Sequence, residues 1–266
     1  MTDNRILNQT IIRQYWRQEM ASARNQQPGR LLAFGHKAYS QNDEDGILQE
    51  IFRRIGTNTQ RFIEFGVGNG LQCNTLLLLM QGWSGGWMES KPEHIASIQA
   101  THKSYIDSGQ LRVLQTLVTT ETINENLASL SPDQDLDLLS IDVDYHDYWI
   151  WQAVTRFDPR VVVIEYNATW PPPLSVTVPN TPGASWNGTN HFGASLEALT
   201  KLGKEKGYHL VGCCFAGVNA FFVREDLCAN HFHAPGDAAE HYEPAPYFML
   251  PWSSGHPAGV GPLVTV

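Results

Sequence analysis

Apolar positions in the first 24 residues fall at helical spacing: Ile6, Leu7, Ile11, Ile12, Tyr15, Trp16 and Met20. A polar stretch carrying Pro28 and Gly29 follows, so the pattern predicts an amphipathic helix over 5–24. Packing on its own domain is the plainer role; a lid or a dimer arm is the alternative. A second helix is predicted over 41–55, with Ile47, Leu48, Ile51 and Phe52 on one face and Ser40 or Asp43 as its cap. Apolar runs of strand length then alternate with helical patterns. Strands are predicted over 61–65, 85–89, 111–118, 137–143 and 161–165, with helices over 73–81, 91–108, 123–130 and 148–155 between them. Such alternation argues for a parallel sheet with helices on both faces. Two further β-prone runs, 208–214 and 218–224, are separated only by Phe215, Ala216 and Gly217. Three residues are too few for a parallel crossover, so this pair is predicted to be a hairpin. The expected fold is α/β: a doubly wound, mostly parallel seven-stranded sheet ending in an antiparallel hairpin.

Residues 168–193 interrupt the alternation. They are rich in Pro, Gly, Asn and Thr and carry Trp170, Trp186 and Phe192. A loop of this length in a compact domain is usually functional or disordered, and its aromatics favour an ordered loop over the strand ends. The expected organisation is an N-terminal helical extension (1–38), the α/β domain (39–226, with 168–193 as a substrate loop) and a tail packed on it (227–266).

A length of 266 residues suits one large domain with appendages, and 42% hydrophobic residues suffice for a core. The balance of 27 acidic to 18 basic residues, net −9, disfavours nucleic acid and anionic membranes as partners. No run approaches the ~18 apolar residues of a spanning helix. The N-terminus is polar where a signal peptide is apolar, so a cytoplasmic location is expected. Cys73, Cys213, Cys214 and Cys228 show no CxxC spacing and read as buried thiols. Cys228, His231 and His233 form a C-x₂-H-x-H run, but without a second cysteine pair surface histidines are the plainer reading.

Chemistry enters at Phe62-Ile63-Glu64-Phe65-Gly66-Val67-Gly68-Asn69-Gly70, between the first strand and a helix. Glycines there let the chain turn sharply and let a ligand lie against the backbone. The spacing is GxGxG rather than GxGxxG, which weakens a pyrophosphate-binding reading. A glycine turn without a ligand is the alternative. Glu89 ends the second strand, where a carboxylate can accept hydrogen bonds from both ribose hydroxyls.

The run Glu64-x-Gly66-x-Gly68-x-Gly70, with the terminal hairpin, resembles class I S-adenosylmethionine (SAM)-dependent methyltransferases. Ser40-Gln41 with Glu44-Asp45, Asn74-Thr75, and Gly82-Trp83-Ser84-Gly85 sharpen the likeness to the FkbM-like methyltransferases, over roughly residues 39–225. The resemblance implies SAM as cofactor, contacted by Glu64, Gly66, Gly68, Gly70, Asn74, Thr75, Glu89 and Asp142. It departs from the family after the fourth strand, where D-x-E-G becomes Asp142-Val143-Asp144-Tyr145.

Strands four and five end in an acidic set: Asp142, Asp144, Glu165 and Asn167. Carboxylates brought together repel unless a cation or proton compensates. Asp142, Glu165 and Asn167 could hold Mg²⁺, a pattern similar to catechol-type O-methyltransferases. They could instead pair with SAM or an amine substrate, or cap helices. His146 is the first candidate for a general base and His191 the second, with Asp142 assisting. A surface His beside Asp147 is the alternative for His146. The resulting expectation is O-methylation of a small polar acceptor, a sugar, nucleotide sugar or polyketide hydroxyl. The rivals are another SAM chemistry (cyclisation or aminocarboxypropyl transfer), a non-catalytic SAM-fold partner protein, and a nicotinamide dehydrogenase. A homodimer through the first helix is compatible with its pattern.

Overall fold

The structure, a computed structural model, describes residues 2–245 and 255–266, without the side chains of residues 2–9 and 12. The side chains of Ile6, Leu7 and Ile12 of the predicted apolar stripe are therefore outside what is described. The first helix, α1 (Thr2–Met20), buries Met20, leaves Ile11 and Trp16 exposed, and tilts Tyr15 onto Phe215 at 5.8 Å. A 3₁₀ turn (Leu32–Phe34) leads to α2 (Glu44–Ile55), whose face of Ile47, Leu48, Ile51 and Phe52 is buried. Acids in its first turn and Arg53 and Arg54 in its last complement the helix dipole. Of the two predicted caps, Ser40 accepts the first-turn Asp45 N–H on its Oγ at 3.3 Å, while Asp43 makes no side-chain cap bond. Asp43 instead accepts the Phe215 N–H at 3.1 Å, tying α2 to a distant turn.

The α/β part runs β1 (Arg61–Phe65), α3 (Leu76–Met80), β2 (Ser84–Glu89), α4 (Pro92–Thr101), α5 (Lys103–Asp107), β3 (Leu111–Gln115), α6 (Ile123–Leu130), β4 (Leu138–Ile141), α7 (Asp147–Ala153) and β5 (Val161–Glu165). Next come β6 (Val176–Thr177), α8 (Leu196–Glu205), β7 (Tyr208–Cys213), β8 (Asn219–Arg224), α9 (Glu225–Cys228), α10 (Ala238–His241) and β9 (Val264–Thr265). The predicted single helix over 91–108 is broken at His102, whose Nε2 lies 2.9 Å from the Gly70 carbonyl and whose ring edge meets Trp87. Helix α8 is not among the predicted elements; Ser195 caps it, accepting the Ala198 N–H at 3.2 Å.

Seven strands form one sheet in the order β3-β2-β1-β4-β5-β8-β7. All pair in parallel except β8, which is antiparallel to β5 and to β7. The hairpin thus turns its second strand back between β5 and the edge. Alternate residues of the central strands enter opposite cores. Ile63, Leu139, Val162 and Phe222 enter one, and Phe62, Leu138, Val163 and Phe221 the other. Burial on both faces explains why Val161–Glu165 reads as an almost unbroken apolar run. A small second sheet pairs β6 with β9, fastening the 168–193 loop to the C-terminal end. The tail is held to the N-terminal segment by Arg24–Glu243 and Arg30–Glu240 ion pairs, each 2.6 Å. No helix among the described residues is long and apolar enough to cross a membrane.

Candidate active site

Parallel strands deliver their C-terminal ends to one edge of the sheet, and β1 leaves that edge through the glycine turn. Gly66 has φ +69°, and a Cβ on it would stand 1.7 Å from the Asp142 carbonyl oxygen. Only glycine permits this close approach of the β1 and β4 ends. Gly68 has φ +54° with nothing within 4 Å of its Cβ position, so it borders open space. Gly70 faces inward, where a Cβ would press on Trp87 and Ile98 at 2.9 and 3.0 Å.

Glu64 braces the turn from behind. It accepts the Asn74 N–H at 2.8 Å, the Thr75 N–H at 3.0 Å and the Thr75 hydroxyl at 2.6 Å. Ser140 adds a fourth contact at 3.3 Å, and Trp87 donates to the Thr75 hydroxyl at 2.8 Å. Burial still raises the Glu64 pKa, outweighing these bonds. Glu89 holds the front. Its Oε2 accepts the Gly68 N–H at 2.9 Å, and its Oε1 accepts the Ser90 and Lys91 N–H groups at 2.8 and 2.9 Å.

Two cavities meet at this edge. A cleft of about 230 Å³ is lined by Gly66, Gly68, Glu89, His94, Asp142 and His146. A cavity of about 350 Å³ is lined by Asp142, Asp144, Glu165, Trp186, Phe192 and His256. The two share Asp142 and Asp144. Asp144 stands in the left-handed region at φ +64°, an unusual conformation for a residue other than glycine. Oxygens of Asp142, Asp144 and Glu165 lie within 4.8 Å of one another. Oε2 of Glu165 is shut off from solvent and has no hydrogen-bond partner. Burial pushes Asp142 and Glu165 well above the usual carboxylate range. Their acidic neighbours push further, Asp147 and Asp144 acting on Asp142, and Asp142 acting on Glu165. Asp147, fully buried, accepts the Val143 N–H at 2.9 Å, and its pKa is raised to about 7, mainly by burial. Another groove, of about 190 Å³, opens near Arg61, Gly85, Gln110 and Arg112, at the N-terminal ends of the strands and away from these carboxylates.

The structure resembles that of a candidate caffeoyl-CoA O-methyltransferase from Staphylococcus aureus, with 13% identity, 82% of this chain and 99% of that chain covered, and a TM-score of 0.50. The N-terminal domain of EvdMO1 with SAH (S-adenosylhomocysteine) bound is 12% identical, covers 70% of this chain and 80% of its own, and gives a TM-score of 0.43. No protein-family model matches the chain, and no curated protein matches it. The chain has the class I methyltransferase-like fold.

Within that fold, the predicted residues separate into a lining and a frame. Gly66, Gly68, Glu89 and Asp142 line the cleft. Glu64, Asn74, Thr75 and Gly70 form the frame behind it: Glu64 holds Asn74 and Thr75, the Asn74 side chain donates to Ser140, and the Gly70 carbonyl faces His102. The structure places the remaining predicted residues around the second half of the site. Asn167 lines the acidic cavity; its Nδ2 donates to the Asn190 and Phe192 carbonyls at 2.8 and 2.9 Å, and its Oδ1 accepts the Thr169 N–H at 2.9 Å. Asp144 joins Asp142 and Glu165 in the acidic group. His191 lies with its Nε2 3.0 Å from the Pro262 carbonyl and is not among the described lining residues of either cavity. His146 lines the glycine-turn cleft and not the acidic cavity. The histidine that lines the acidic cavity is His256, edge-on to Trp186 at 4.7 Å, and nothing in the local sequence around it signals this.

Proposed function

We propose that the chain binds SAM in the glycine-turn cleft and methylates a hydroxyl of a small polar acceptor held in the acidic cavity. The observation that carries this reading is the junction: among the described lining residues, the two spaces have Asp142 and Asp144 in common. A donor on one side and an acceptor on the other would meet at these carboxylates. The fold shared with the S. aureus structure supports the reading.

SAM, when bound, supplies an electrophilic methyl group on a sulfonium. The chain's own groups do the rest. Gly66 and Gly68 let the main chain close on the ligand, and Glu89 is placed to meet ribose hydroxyls. Trp186, Phe192 and Tyr166 shape the acceptor wall and limit water. Holding the two reactants in line is worth several powers of ten in rate. The acceptor proton would go to a carboxylate of the cluster that is ionised, where burial and the neighbouring acids raise the proton affinity of Asp142 and Glu165. The donor set also fits Mg²⁺. Three hard oxygens within 4.8 Å and an unpartnered Glu165 oxygen would hold the ion, which would make a bound hydroxyl more acidic.

The FkbM-like motifs favour a sugar, nucleotide sugar or polyketide hydroxyl as acceptor. No Lys or Arg stands among the described lining residues of the acidic cavity. That wall suits a neutral acceptor better than an anionic nucleotide sugar. Calorimetry with SAM and SAH, with and without Mg²⁺, tests the proposal. Both nucleosides are expected to bind the wild type, and Asp142→Ala is expected to keep SAH binding within about tenfold while losing methyl transfer. Absence of binding to either nucleoside would end the methyltransferase reading. Unchanged turnover in the Asp142 variant would remove the carboxylate cluster from the chemistry.

A further inference from the structure

The acidic cavity holds charges that the chain itself leaves unanswered. Among the described residues, no group donates a hydrogen bond to the carboxylates of Asp142, Asp144 or Glu165, and none of the three forms an ion pair. Asp147, Glu64 and Glu44 add to the negative field at Asp142. Lys91, whose charge acts on Asp144, lines the glycine-turn cleft and not this cavity. A cavity walled by one sign of charge concentrates ligands of the other sign.

The same cavity has a second, independent feature. Trp186, Phe192 and His256 all line it. Their ring planes stand at 69°, 74° and 87° to one another, so the three form a corner and not a flat stack. The Trp186 indole N–H donates to the Thr189 carbonyl at 2.7 Å, which fixes its plane, and Phe192 is buried. Aromatic faces attract cations. A divalent ion would answer the carboxylates and leave the rings unused, because it takes oxygen ligands and keeps its waters. A neutral compound would use the rings and leave the charges. An ammonium group uses both.

We propose that the acceptor carries an ammonium group beside the hydroxyl that is methylated, recognised by Asp144 and Glu165 together with Trp186 and Phe192. The proposal rests on the reading of this cavity as the acceptor site and names the acceptor class, an amino alcohol or amino sugar. Asp142, at the junction with the glycine-turn cleft, is left to the reacting hydroxyl. The acceptor oxygen gains the methyl as the carbon–sulfur bond breaks and its electron pair returns to sulfur. The hydroxyl proton passes to an ionised carboxylate. A fully protonated nitrogen holds no lone pair, so it does not compete for the methyl group.

The test titrates the full chain, with SAH present and without metal, with choline and with 3,3-dimethylbutan-1-ol, its uncharged carbon isostere. Choline is expected to bind about tenfold more tightly than the alcohol. Asp144→Asn is expected to lower choline affinity about fivefold and leave the alcohol and SAH unchanged. Asn tolerates the positive φ of this position. Trp186→Leu, at an exposed ring, should also weaken choline about fivefold without touching SAH. Equal affinity for choline and the alcohol, or binding of neither, would overturn the proposal and leave the cofactor reading standing wherever SAH binds. A response to Mg²⁺ with none to choline would assign the carboxylates to a metal and overturn it as well. Absence of SAH binding would end the methyltransferase reading and the proposal with it. Should a variant not fold, the wild-type comparison still decides.

Discussion

The two halves of the site are built on opposite plans. Around the glycine turn nearly every buried polar atom has a partner: Glu64 takes four contacts, and Glu89 takes three backbone N–H groups. Among the described residues the exceptions are His146 Nε2 and His94 Nδ1, the latter 3.5 Å from Glu89. At the ends of β4 and β5 the balance is reversed. Glu165 Oε2 and Asp147 Oδ2 are both buried without a partner, and the carboxylates repel one another. One half is a completed frame that stands without ligand. The other is energetically unfinished, and unfinished polar groups mark where something else is meant to bind.

The strongest way to break the frame is Gly66→Ala. A Cβ 1.7 Å from the Asp142 carbonyl, at a positive φ, combines overpacking with backbone strain. A loss on the order of 4 kcal/mol is expected, with SAH binding abolished. A melting temperature close to wild type would show that β1 and β4 are not locked at this point.

A pair of isosteric changes sharpens the contrast. Glu64→Gln turns a donor toward the Asn74 or Thr75 N–H and is expected to cost about 1–3 kcal/mol. Glu165→Gln is expected to do the reverse. Its folded-state pKa is raised, so the folded form favours the proton; that contribution is whole below the unfolded pKa and is lost as pH rises toward the folded one. Removing the charge therefore stabilises the protein at pH 8 by about 1–3 kcal/mol, and the gain fades toward pH 4. Denaturant midpoints at both pH values decide the matter. Destabilisation by Glu165→Gln at pH 8 would mean that the acid is already satisfied.

The frame was more legible from sequence than the unfinished half, for a physical reason. Strands 61–65 and 161–165 and helix 123–130 match their predicted bounds because their apolar spacing is local and is answered by burial. The glycines and Glu89 follow from their position at strand ends. The acidic half depends on contacts far apart in the chain. Asn167 carries a suitable oxygen, but whether its amide is free depends on where residues 190–192 pass. His256 reaches the cavity next to the β6–β9 pairing, a link between positions nearly ninety residues apart. Helix α8 did offer a local signal, with Leu196, Leu199 and Leu202 buried behind a Ser195 cap.

The smallest expected effect on stability comes from the glycine that bridges the two plans. Gly68 lines the cleft, and its Cβ position meets no atom within 4 Å. Gly68→Ala therefore adds only the strain of a positive φ, about 1 kcal/mol. The methyl would stand in the space assigned here to the ligand. The fold should survive while SAH affinity falls at least tenfold, a separation that Gly66→Ala cannot give because it damages the frame itself. Calorimetry beside a melting curve measures both quantities on one sample. Intact affinity would mean that the space over Gly68 belongs to solvent, and the cofactor would then have to be sought elsewhere along the sheet edge.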